Sequence, residues 1–139
     1  MIRSERGSVT LWTLGLSLLL LVFGGLAIDF WRGLALQREL AAVADSAAVA
    51  AASGVDEGLY RETGQVRLDA AQARTLALES VAFQDTPVLG VEVTVLPDRS
   101  RVTVEVFGEV ELGLLGVLIG DTEPLTVRAV ATAAPRLLP

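Results

Sequence analysis

From Ser8 to Ile28 the chain carries no charged side chain, a run of 21 residues. A helix of that length reaches roughly 30 Å at about 1.5 Å per residue, the thickness of a bilayer's hydrocarbon core. Its centre, Leu18-Leu19-Leu20-Leu21-Val22-Phe23, offers nothing to water. A retained membrane anchor is the leading reading, and a cleaved signal peptide is the competitor. The run exceeds the usual signal core, and neither Leu26-Ala27-Ile28 nor Ile28-Asp29-Phe30 makes a good small-x-small cleavage site. Trp12 and Trp31 bracket the run, about 28 Å apart on a helix axis, which suits two interfacial belts. Arg3 and Arg6 precede the run with only Glu5 opposing them, and the remainder is net acidic. The positive-inside rule then predicts a single-pass protein of the cytoplasmic (inner) membrane with its N-terminus in the cytoplasm and its bulk outside. Residues 1–7 are expected in the cytoplasm, 8–28 in the membrane, 29–53 in a helical stem and 54–139 in an extracytoplasmic head. Trp12, Trp31, Arg3 and Arg6 are the expected membrane-interface residues, with lipid as their partner. Gly24 and Gly25 either let another helix approach closely or are simply tolerated in lipid.

Composition narrows the chemistry. Of the 139 residues, 52% are hydrophobic and 20% charged, and the mean hydropathy is +0.54, more apolar than soluble domains of this size usually are. His, Cys, Lys and Asn are absent, and all 11 basic residues are Arg. That excludes a thiolate nucleophile, an imidazole base, a lysine Schiff base, a Cys/His zinc site and a disulfide. A net charge of −6 argues against nucleic acid, which needs a concentrated basic face. No enzyme, cofactor, metal or small-molecule substrate is expected.

Beyond the apolar run the helix pattern continues. Phe30 to Ser53 contains no Pro and a single Gly, Gly33, among strong helix formers. Leu36, Leu40, Val43, Ala47 and Ala50 mark one apolar stripe, with Arg32, Gln37, Arg38, Glu39, Asp45 and Ser46 mostly off it. Ser53-Gly54 predicts a stop with Gly in the left-handed cap position. One continuous helix from about Ser8 to Ser53 follows, roughly 70 Å long. Residues 54–68, with Gly54, Gly58 and Gly64, predict a loop. Asp69 and Gln72 resemble a capping box that opens a second helix running to about Phe83, with Leu68, Ala71, Leu78 and Ala82 down one side and Asp85-Thr86-Pro87 ending it.

Strict alternation comes next. Val91, Val93 and Val95 face one way, Pro97-Asp98-Arg99-Ser100 turns the chain, and Val102, Val104 and Val106 return it. Pairing Leu96 with Arg101 sets Val95 opposite Val102, Val93 opposite Val104 and Glu92 opposite Glu105. Leu125 to Ala133 forms a third strand, whose Val127, Ala129, Ala131 and Ala133 would let a helix lie flat. Leu112 to Gly120 is a short helix or an apolar loop. The fold class is α+β: a long anchor-plus-stem helix, a short second helix and a three-stranded antiparallel sheet, a pilin-like arrangement.

Three stretches in this order resemble the TadE/TadG-like family of Flp (Tad) pilus-assembly proteins. They are Arg6-Gly7-Ser8 before the apolar span, Ala27-Ile28-Asp29 at its end with the stem Leu40 to Ala52 beyond, and the Val-rich hairpin with Leu114-Leu115-Gly116 and Leu125 to Ala133. The resemblance implies a structural role in a pilus or secretion machine, with other pilus components or pilins as partners. Two departures refine it. Ala41-Ala42 stands where the family's stem usually has Gln-Asn. Cleavage after Gly7 would place Trp12 where pilins cut by prepilin peptidase carry Glu, which favours an uncut or non-polymerising accessory, minor-pilin-like component over a major subunit. The alternative is a membrane-anchored binding module with no filament role.

The candidate partner contacts are Asp29, Asp45, Leu114, Leu115 and Leu118. For Asp29 the plainer reading is an i,i+3 pair with Arg32, and for Asp45 a solvated helix face. The patch Leu112, Leu114, Leu115, Leu118 and Ile119 is either core or an exposed contact surface. Glu92 with Glu105 could bind a cation or form a catalytic carboxylate pair, although a bulge, a slipped register or simple solvation explains them more simply, and Asp121 with Glu123 could bind a cation, although a charged turn is commoner.

Overall fold

The computed structural model describes residues 6–120 and 123–135. A 47-residue helix, α1 (Arg6–Ala52), runs unbroken through the apolar segment and the stem. It is followed by α2 (Glu57–Thr63), α3 (Ala70–Ala82), β1 (Gly90–Val95), β2 (Val102–Val110), α4 (Leu114–Ile119) and β3 (Leu125–Ala133). The strands form one antiparallel sheet in the order β1-β2-β3. The outer half of α1 lies on β2 and β3, and α3 packs beside it on β1. The architecture is therefore α+β in two layers, helices over sheet.

Small side chains set the spacing of the layers. Leu40, Val43, Ala44, Ala47, Ala48 and Ala51 of α1 are buried against Val102, Val104 and Val106 of β2, Ala129 and Ala131 of β3, and Ala73, Ala77 and Val81 of α3. The expected stripe is present, with Leu36 and Ala50 half-buried at its edges. It widens to include Ala44, Ala48 and Ala51 because α1 is covered from two directions, by the sheet and by α3. Gly108 of β2 faces α1 for the same reason: a Cβ there would come within 2.9 Å of Leu40 Cδ1. Arg32, Gln37, Arg38, Glu39, Asp45 and Ser46 all lie exposed.

The hairpin has the register that the alternation predicts. Val95 faces Val102, Val93 faces Val104, Glu92 faces Glu105, and the Leu96 N–H donates to the Arg101 carbonyl. Arg99 takes the left-handed conformation in the turn, with φ 57°, and Ser100 satisfies the Asp98 carboxylate through both its N–H and its hydroxyl. The predicted opening of the second helix is also present: the Asp69 carboxylate accepts from the N–H groups of Ala71 and Gln72.

Three expectations are corrected. Residues 54–68 are not a plain loop, because α2 lies within them, capped at its start by Asp56, which accepts from the Leu59 N–H, and at its end by Gly64 in the left-handed conformation. Gly54 is not a left-handed cap, since Gly64 and Gly120 are the positive-φ glycines of the described residues. A Cβ on Gly54 would lie 2.9 Å from the backbone N of Ala73, so glycine is required there because α3 passes so close. Finally, of the expected face Leu68 is buried, but α3 itself buries Ala73, Ala77 and Val81, while Ala71, Leu78 and Ala82 are exposed. The Ala-lined face fits the Ala-lined stem where Leu78 would hold the two helices apart.

These packing distances make two identical changes act in opposite directions. Gly54→Ala should destabilise the head by about 1–3 kcal/mol through overpacking against the α3 backbone. Gly58→Ala, in exposed α2 where the new methyl makes an ordinary contact, should be neutral or stabilise by up to about 1 kcal/mol. Chemical denaturation of the full chain in detergent measures both.

Candidate functional site

Among the described residues, the first half of α1 stands largely uncovered until Gly25, where α4 meets it. Val9, Leu11, Trp12, Leu14, Leu18 to Leu21 and Phe23 all stand exposed, in a window of mean hydropathy 2.2. Water would not tolerate a continuous apolar surface of this size without a partner. One long apolar helix near the N-terminus fits a single-pass membrane anchor. Trp12 and Trp31 are both exposed on it. Arg3 lies outside the described residues, and Arg6 is the first residue of α1.

The head meets the apolar half of α1 at one place, the turn from Gly25 to Asp29. Asp29 is buried, 6% exposed. Its carboxylate reaches the start of α4, where Oδ1 accepts from the Gly113 N–H at 3.1 Å and Oδ2 from the Leu115 N–H at 2.8 Å. These are amides that a helix start leaves without intrahelical partners. Gly113 fits because a Cβ there would lie 2.8 Å from Asp29 Oδ1. The Leu114 side chain rests on the bare backbone of Gly25, where a Cβ would lie 2.8 Å from Leu114 Cδ2. Asp29 follows the last residue of the uncharged run. The Leu115 N–H, then those of Gly113 and Leu114, hold its carboxyl below the ordinary value of 3.8 against the opposing effect of burial, and Arg32 adds only a smaller attraction. Asp29 is thus committed to a segment 84 to 86 residues away more than to its helical neighbour.

Around this junction an open apolar groove of about 610 Å³ runs between Leu26, Phe30 and Leu34 of α1 and Val110, Leu115 and Val127. The segment from Leu112 to Gly120 resolves into a short helix, and it is split between core and surface. Leu115 is half-buried in the groove, whereas Leu114, Val117, Leu118 and Ile119 are exposed. The geometry brings together Asp29, Leu114 and Leu115, with Leu118 on the outer side of the same helix. Asp45 lies well away, exposed on the open face of the stem with Ala41, Ala42, Ser46 and Val49.

Residues 7–54 match the Tad family model, described as Flp pilus-assembly TadE/G-like. The Tad match takes in the apolar segment and the stem and ends two residues past α1; the resemblance of the C-terminal strands rests on the residues quoted for it. The Tad family is one of pilus assembly, structural in character, and the long apolar helix agrees with it. No curated protein and no solved structure matches the chain significantly.

The other acidic candidates have plain surroundings. Glu105 sits opposite Glu92 with no bulge between the strands, and Arg128 of β3 approaches Glu105 at 3.4 Å, which relieves the repulsion on the solvent face. Asp121 lies outside the described residues, and Glu123 is exposed.

The carboxylate of Asp29 must be ionised to hold two N–H donors. A group depressed in the folded state contributes stability above its unfolded value and loses it as pH falls through the folded one. The amide signals of Gly113 and Leu115 in the detergent-solubilised chain should therefore hold from pH 7 to 5 and collapse on the acid side of 3.8. Asp29→Asn, with one carbonyl acceptor in place of two carboxylate oxygens, should speed hydrogen exchange at Leu115 and Val117 several-fold at neutral pH and remove that acid transition.

Proposed function

We propose that the protein is an accessory, minor-pilin-like structural component of a Tad/Flp-type pilus assembly or secretion system. It is held in the cytoplasmic membrane by residues 8–28, with its N-terminus in the cytoplasm and its head outside. The observation that carries this reading is the match of residues 7–54 to a pilus-assembly family along a helix whose first half is bare and apolar and whose second half is the core of the head. A chain of this design transmits position and force from membrane to head through one rigid element, and such work needs no reacting side chain.

Partner contact is assigned to the open face of the stem. Ala41, Ala42, Ser46 and Val49 present small or apolar side chains around Asp45, and small residues let a second helix approach closely. Asp45 gives that face its one charge within a turn on either side and would fix the orientation of a docked helix. Trp12 and Trp31 mark the two membrane surfaces, and Arg3 and Arg6 hold the cytoplasmic end.

Co-purification from native membranes tests the assignment. Asp45→Ala should leave the chain resistant to alkaline carbonate while its recovery with pilus components drops several-fold; unchanged recovery would reject the stem face as the contact. Release of the unaltered, intact chain by carbonate would reject the anchor itself.

A further inference from the structure

Resting on the reading of residues 8–28 as the span, we infer that α4 is a second membrane contact, a short helix laid into the outer leaflet beside the anchor so that lipid acyl chains cover its exposed face. Leu114 sits on Gly25, three residues inside the end of the uncharged run and therefore about 4.5 Å into it along the helix axis. Phe30 and Trp31, exposed on α1 just beyond, mark the interfacial belt. A helix packed from Gly25 to Asp29 lies on the membrane side of that belt.

Its surface suits that depth. Val117, Leu118 and Ile119 are 77%, 58% and 65% exposed, and no charge occurs from Leu112 to Gly120. The exposed Glu111 and Glu123 flank the segment, so the charged chain resumes on each side of the apolar stretch. With acidic flanks, attraction to anionic headgroups is not the driving force; transfer of apolar side chains from water is, as for other helices that lie in the interface. Asp29 acts here as a positioning residue, since it satisfies the α4 N–H groups that lipid could not and fixes the helix at this height. The head would then be tethered at two points and held in one orientation on the membrane surface.

The chain contains no cysteine, so single-cysteine variants each report one site. Leu118→Cys carrying an environment-sensitive fluorophore is placed in phosphatidylcholine bilayers with and without lipids brominated high on the acyl chain. Val117→Cys gives an independent reading of α4, Val22→Cys is the reference within the span, and Arg61→Cys on exposed α2 is the reference in water. The inference predicts that both α4 probes are blue-shifted and lose a fraction of emission to brominated lipid comparable to that lost at Val22, with Arg61 unaffected. Probes on α4 that report water while Val22 is quenched would overturn the inference and leave the span intact. Probes that are blue-shifted but unquenched would mean that protein, not lipid, covers α4, and would also overturn it. An unquenched Val22 would remove the span and this inference with it.

Discussion

Everything in the head depends on how closely α1 can approach its neighbours. The sheet contributes Val102, Val104 and Val106 with the small pair Ala129 and Ala131, and α3 contributes Ala73 and Ala77. Between them α1 presents Ala44, Ala47, Ala48 and Ala51. Such side chains bury little area each, and they must compensate by contact at short range, because dispersion falls steeply with separation. Glycine marks two close crossings in this core: Gly54 under the α3 backbone and Gly108 under Leu40. The same helix that fills the core also carries the bare apolar half, so the packing of the head sets the direction in which that half leaves it.

The sequence spelled out those parts of the fold whose causes are local. The uncharged run, the period-two strands and the Pro97–Ser100 turn determine the anchor, the hairpin and its register, down to Glu92 facing Glu105. The Asp69 cap is likewise visible within three residues. What eluded the sequence has causes farther apart or weaker in hydropathy. On α3 the large side chain, Leu78, drew the expected face, yet the buried face is Ala73, Ala77 and Val81, because the partner is an alanine surface and fit outweighs size. Residues 54–68 look like a loop when three glycines are counted; Asp56 at the start and Gly64 at the end were the signals of α2.

Asp29 shows the limit most clearly. Its neighbour Arg32 offers a pair at helical spacing, and nothing nearby in the chain announces Gly113 and Leu115 as the true partners. Two N–H donors at a helix start outcompete a solvated guanidinium because the carboxylate is buried and the donors are held by the fold. The step from Ile28 to Asp29 at the end of the uncharged run thereby acquires a structural role: it is where the head is fastened to the apolar half of α1.

The apolar segment and the stem are carried by one unbroken helix, α1, with Gly24, Gly25 and Gly33 inside it. Spin labels at Leu14→Cys and Ser46→Cys, both exposed sites on α1, measure this directly by dipolar spectroscopy in bilayers. Thirty-two residues of helix predict backbone sites about 48 Å apart, and a continuous rod gives one narrow distance distribution near that value. A broad distribution, or one centred well below it, would show a bend between membrane and head and contradict the account.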